Sequence, residues 1–130
     1  MTKTILLIAF MLISITATAQ KSQIARKELL KASMNQKITT AEVQEITMAG
    51  GQAAPKHLHP CPVIGIIKSG EAVFQIEGQE SMVLHEGDAF YEPKNVTILH
   101  FDNASKEKPL VFTAMYLKEG HEENIQFLNK

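Results

Sequence analysis

Gly51-Gln52-Ala53-Ala54-Pro55-Lys56-His57-Leu58-His59-Pro60-Cys61-Pro62-Val63-Ile64-Gly65-Ile66-Ile67-Lys68-Ser69-Gly70 is the stretch on which the fold turns. Pro55 lacks a backbone donor and so favours a sheet edge or an irregular start to a strand. After Pro62 the run Val63 to Ile67 is apolar, and Ser69-Gly70 marks a turn. Ala72 to Glu77 then alternates, with Ala72, Phe74 and Ile76 on one side and Val73, Gln75 and Glu77 on the other. Two strands around so tight a turn predict a hairpin.

Outward from this stretch the pattern is short runs between turn residues, which is that of an all-β domain. Downstream, Ser81 to Leu84, Ala89 to Glu92, Val96 to Phe101 and Leu110 to Leu117 read as strands. Glu77 to Glu80, Glu86-Gly87-Asp88 and Pro93-Lys94-Asn95 are turns, and Asp102 to Lys108 is a polar loop. Upstream, Ile38 to Met48 reads as a strand with mixed alternation, which suggests a bulge. Ser22 to Met34 is open between a short helix and a strand around Glu28 to Leu30. Residues from His121 onward form a charged tail that Ile125, Phe127 and Leu128 would dock on the barrel.

The first residues point to export. A lone cation, Lys3, precedes the apolar run Ile5 to Ile15, and Ala17 and Ala19 have the small size that a cleavage site needs. The run is shorter than the roughly 20 residues of a spanning helix, and the alternative to a cleaved signal is an uncleaved anchor helix. Cleavage after Ala19 is expected, so that residues 1–19 are a signal peptide and the protein is periplasmic or secreted, not membrane-spanning once cleaved. What remains, residues 20–130, is 111 residues long with a net charge of −2, enough for one domain. A concentrated basic face of the kind that nucleic acid requires is missing. Cys61 is the only cysteine, so no internal disulfide forms and the hydrophobic core must hold the fold. In that core Cys61 reads as a small buried side chain, with a reactive thiol or a covalent dimer as the alternatives.

His57 and His59 are one residue apart in an extended chain and so present two imidazoles on one face. Neutral imidazole binds first-row transition metals, but a stable site takes three or four ligands. The alternative from spacing alone is a pair that orients a loop or hydrogen-bonds a ligand without metal.

These residues resemble the first motif of the cupins, in which glycine, five residues, His-x-His, three or four residues, glutamate, six residues and glycine follow one another. Gly51, His57, His59 and Gly70 fall in that register over residues 51–70, with Val63 or Ile64 in place of the glutamate. A second motif, glycine, five residues, proline, one residue, glycine, two residues, histidine, three residues and asparagine, is matched over 87–103 by Gly87, Pro93 and the closing Asp102-Asn103. Asn95 stands for the glycine, which asparagine's tolerance of left-handed angles allows. Ile98 stands for the histidine. The resemblance implies a double-stranded β-helix, or jelly-roll barrel, whose closure removes most strand edges, and pairing as a homodimer. It makes both histidines metal ligands and leaves two of four ligand positions empty.

Two residues are candidates for the gap. His100 is two positions beyond Ile98, nominally on the same face, although two residues of strand displace a side chain by about 7 Å; a bulge or a shifted site would be needed. Glu92 is an acid in a strand with aromatic neighbours, and its alternative is an exposed rim charge. The ligand pocket is accordingly expected among His57, His59, Glu92, Ile98 and His100, with Phe90, Tyr91, Phe101 and Phe112 as lining or plain core. A metal, if held by His57, His59 and His100, would be Fe, Mn, Ni, Zn or Cu. The expected function is binding of a small molecule in the cell envelope, with or without metal. The alternatives are a metal-dependent enzyme, dioxygenase-like or isomerase-like, and a structural or partner-binding barrel.

Overall fold

The computed structural model describes residues 23–128; the expected signal peptide lies outside them. Nine strands and no helix make up this region: β1 (Thr40–Met48), β2 (His57–Leu58), β3 (Val63–Ser69), β4 (Ala72–Ile76), β5 (Met82–Leu84), β6 (Ala89–Glu92), β7 (Ile98–Asn103), β8 (Leu110–Lys118) and β9 (Gln126–Phe127). All pairs are antiparallel. One sheet has the order β1-β8-β3-β6 and the other β5-β4-β7-β2-β9. This is the jelly-roll arrangement expected from the sequence. Hydrogen bonding does not close around the barrel, however, and β1, β6, β5 and β9 remain edge strands.

The expected hairpin at Ser69-Gly70 is corrected by this topology. β3 pairs with β6 and β8, whereas β4 pairs with β5 and β7, so the chain crosses from one sheet to the other at that corner. Gly70 lies at φ +83°, and a Cβ there would come within 2.9 Å of the Pro109 carbonyl oxygen. The tight turn is real, but β8 and β6 take the pairing edges of β3. Other expectations differ in detail. Residues 23–34 have neither helix nor strand, and β1 runs against β8 without interruption from Thr40 to Met48, so it has no bulge. Register shifts fall instead in β3 against β8, between Ile67 and Ser69, and in β4 against β7, between Gln75 and Ile76.

Alternation sets the core. Ala72, Phe74 and Ile76 are buried as the sequence pattern requires, and Phe90, Phe101 and Phe112 join Phe74 between the sheets. Phe101 is the hub, with ring centroids 4.7 Å from Phe112, 5.1 Å from Phe90 and 5.8 Å from Phe74, in the tilted and edge-on geometries that aromatic pairs favour. The Phe90 ring lies over Gly65, where a Cβ would stand only 2.1 Å from it. Cys61 is fully buried, in agreement with its reading as a core side chain. Asn103 ties the loops together. Its amide donates to the carbonyls of Met48, Ala49 and Lys108, and its side-chain oxygen accepts from the Ser105 N–H.

Candidate metal centre

β2 is only two residues long, yet it is fixed on both sides. His57 is the register partner of Ile98 on β7 and of Phe127 on β9. Beyond it, the Asn95 N–H donates to the His59 carbonyl at 2.8 Å. Asn95 makes that contact from φ 58°, the left-handed conformation that its motif position was expected to demand. The two imidazoles therefore sit side by side as their spacing requires, with centroids 5.0 Å apart and both rings buried.

The carboxylate comes from the opposite sheet. In β6 the alternation that turns Phe90 inward also turns Glu92 inward, and Glu92 is 4% exposed rather than a rim charge. Its register partner on β3 is Val63, the position at which the first motif lacks its glutamate. Directly opposed residues in an antiparallel pair have Cβ atoms about 5 Å apart. An acid is thus presented beside that position from the neighbouring strand of the ladder. A ring nitrogen of His57, one of His59 and an oxygen of Glu92 lie within 4.8 Å of one another.

Hydrogen bonding fixes the tautomers. His57 Nδ1 is 2.6 Å from the Pro55 carbonyl and His59 Nδ1 is 2.6 Å from the Asn124 carbonyl. A carbonyl can only accept, so both Nδ1 atoms carry hydrogen and both Nε2 atoms are left for the site. His59 Nε2 is 2.8 Å from a Glu92 oxygen. Two acceptors would repel at that distance, and a proton must lie between them. Burial opposes charge on His59, but the hydrogen bond and negative charge of Glu92, helped by the Asn124 carbonyl, outweigh it and hold its pKa above the ordinary 6.5. Burial dominates at His57 and lowers its pKa, which favours the neutral imidazole. Tyr116, 5.9 Å from His59 between ring centroids, is pushed up to about 12 by burial and then by Glu92, and stays a neutral phenol.

The three groups open on a cavity of about 250 Å³ whose wall includes Met48, Phe90, Phe101, Phe112, Tyr116 and Phe127. Of the expected aromatic lining, Tyr91 is the one that does not reach it. A wider groove of about 640 Å³ lies between Glu42, Lys118 and the segment from Gly120 to Ile125, but among the described residues only His57, His59 and Glu92 converge as metal donors.

Two expected pocket residues are elsewhere. Ile98 is fully buried beside His57 but belongs to the core and does not line the cavity. His100 points outward, with half of its side chain exposed, and its Nδ1 meets Asp102 Oδ2 at 2.9 Å. The reason is the β4/β7 register shift: Ile98 pairs with Ile76 but His100 with Gln75, so Leu99 is the extra residue of a bulge. A bulge breaks the rule that residues two apart share a face. The anticipated route from Ile98 to His100 fails at that point, and His100 does not converge with His57, His59 and Glu92.

The fold and site together define a jelly-roll domain with a buried cluster of two histidines and one carboxylate on the wall of a largely apolar cavity. The chain belongs to the cupin family: residues 44–116, more than half of its length, match the cupin domain. Among solved structures it is similar to a cupin-like protein from Thermotoga maritima (25% identity over 68% of this chain and 65% of that one, TM-score 0.59). It is also similar to an RmlC-like cupin from Methanocaldococcus jannaschii (30%, 59% and 69%, TM-score 0.53). A DMSP lyase from Ruegeria pomeroyi shares the fold at 23% identity, over 67% of this chain and 42% of the lyase, with a TM-score of 0.58. The match thus spans less than half of the lyase and just under two thirds of the Thermotoga protein. No curated protein matches.

Proposed function

We propose that this cupin binds a divalent transition metal through His57 Nε2, His59 Nε2 and Glu92 and, beside it, a small organic molecule. The observation that carries the reading is the convergence of three buried donors, each imidazole already oriented by a backbone carbonyl. Carbonyl-anchored histidines are what a metal site requires of its surroundings. The chemistry of the donors suits Fe, Mn, Ni, Zn or Cu rather than the hard cations that prefer all-oxygen shells. In the metal-free site the proton shared by His59 and Glu92 occupies the place of the cation. A cavity of about 250 Å³ falls just below the range of drug-sized ligand sites, and its apolar wall fits a small molecule with an apolar body. Export to the periplasm or medium, proposed on residues 1–19, and pairing as a homodimer complete this reading.

A second reading, metal-dependent catalysis of dioxygenase-like or isomerase-like type, is favoured by the ligand count. Two histidines and one carboxylate leave coordination positions open, as in non-haem iron oxygenases. A metal bound there would supply Lewis acidity or dioxygen chemistry. The protein's own part would be to keep His57 neutral, to hold both rings by Nδ1 and to exclude water with its phenylalanines. Elemental analysis after reconstitution with each of the five metals tests the common premise. One equivalent in the wild type, lost in both His57→Ala and Glu92→Ala, is expected; absence of any bound metal in the wild type refutes it.

A further inference from the structure

The C-terminal segment after β8 lies outside the part of the chain that matches the cupin domain, yet it supplies one of the two carbonyls that orient the histidines. Its path explains how. Glu122 accepts from the backbone N–H groups of Glu119 and Gly120, which reverses the chain after β8. Asn124 Nδ2 then donates to Glu42 Oε1 on β1 at 2.8 Å, while the Asn124 carbonyl accepts from His59 Nδ1 at 2.6 Å. Two residues later β9 pairs with β2, and the Leu128 N–H donates to the Lys56 carbonyl at 3.0 Å. The segment therefore runs from an edge of one sheet to an edge of the other, and between these anchors Ile125 and Phe127 form part of the cavity wall.

We infer that residues 119–128 are a strap that positions His59 and closes the cavity, so that docking of the strap and occupancy of the metal centre favour each other. The inference rests on the metal-binding reading above. Two features make the strap separable from the barrel. β9 is two residues long and pairs only with β2, and Phe127 is half exposed although its ring centroid is 6.4 Å from that of His57. Such an edge element opens at lower cost than the strands beneath it. With the strap undocked, His59 loses its Nδ1 acceptor and its ring is free to turn. His57 does not, because its acceptor, Pro55, precedes it by two residues. Coupling of this kind is reciprocal: whatever the strap adds to metal affinity, the metal adds to strap docking.

The test compares the wild type with Asn124→Ala, which keeps the backbone carbonyl but removes the clip to Glu42, and with a chain ending at Gly120. Zn²⁺ affinity is measured by competition with a chromogenic chelator, and the histidine Nδ1–H resonances by ¹H–¹⁵N NMR of the metal-free protein. The shortened chain is expected to bind Zn²⁺ about 10- to 100-fold more weakly, the usual cost of losing an outer partner of a metal-bound histidine, with Asn124→Ala in between. The His59 Nδ1–H signal should vanish in the shortened chain while that of His57 persists. Zn²⁺ should also slow carboxypeptidase digestion of the wild-type strap. Equal affinities together with an unchanged His59 signal would overturn the strap. If the wild type itself takes up no Zn²⁺ or other metal, it is the metal reading that fails, and the NMR comparison still decides whether the strap positions His59. If the shortened chain does not fold, Asn124→Ala and the digestion rate decide.

Discussion

Glu92→Gln in the metal-free protein probes the centre through the proton that holds it together. His59 and Glu92 are both about 5% exposed in their side chains and 2.8 Å apart. Stranding one charge of a buried pair costs about 3–5 kcal/mol, but here the cost is smaller. The imidazole can shed its proton, and the new amide can donate to His59 Nε2. What remains is the difference between a charge-assisted and a neutral hydrogen bond, about 1–2 kcal/mol. For a domain of this size each kcal/mol is worth about 4–8 °C in Tm, so a loss of roughly 5–15 °C is expected just below the ordinary histidine pKa of 6.5. The pH dependence carries the sharper test. His59 has its pKa raised on folding, so the folded state holds the proton more tightly than the unfolded chain does. Its contribution is fully present below 6.5 and is lost as pH rises through the folded value. His57 has the opposite sign. Its pKa is lowered, so its contribution is present above 6.5 and lost as pH falls through its folded value. Thermal unfolding followed by circular dichroism from pH 6.5 upward therefore isolates His59. The gap in Tm between wild type and Glu92→Gln should narrow as pH rises, over the same interval in which metal affinity of the wild type increases because the competing proton leaves. A gap that is constant or widens with pH would refute the shared proton.

His100→Ala should leave Zn²⁺ affinity within about twofold and cost about 1 kcal/mol or less, since the half-exposed imidazole is screened by water even though Asp102 is largely buried; loss of metal in this variant would bring His100 into the site. Gly65→Ala should cost at least about 1–3 kcal/mol in urea unfolding, because the added Cβ meets the Phe90 ring at 2.1 Å and the Thr113 carbonyl oxygen at 2.5 Å, and the latter is backbone and does not yield. A change below about 0.5 kcal/mol would show that β3 and β8 separate more readily than their packing indicates.

How far the sequence reached depends on whether each feature is local. The two imidazoles on one face follow from a spacing of two in extended chain, and the left-handed turn at Asn95 follows from one residue's tolerance; both were legible. The partners of β3 were not. Ser69-Gly70 specifies a sharp reversal but not which strand fills the hydrogen-bonding edge afterwards, and here β8, more than forty residues on, takes it. His100 shows the same limit at smaller scale, since a single bulged residue, Leu99, fixed by pairing with β4, reversed the face that period-two counting assigns. Glu92 lies between these cases. Its alternation with Phe90 was visible, and a strand that buries the phenylalanine must also bury the acid two residues later. Only the register of Val63 with Glu92 gives that burial a place in the site, because it sets the carboxylate beside the position at which the motif lacks one. An inward acid can thus stand beside a histidine pair from a neighbouring strand, so an incomplete motif in one strand is an argument to search the strands paired with it before the site is judged absent. The tail extends the argument to hydrogen bonds. Ile125 and Phe127 signalled that it docks, but a backbone carbonyl has no residue type, and no pattern of side chains could have named Asn124 as the group that turns His59 toward Glu92.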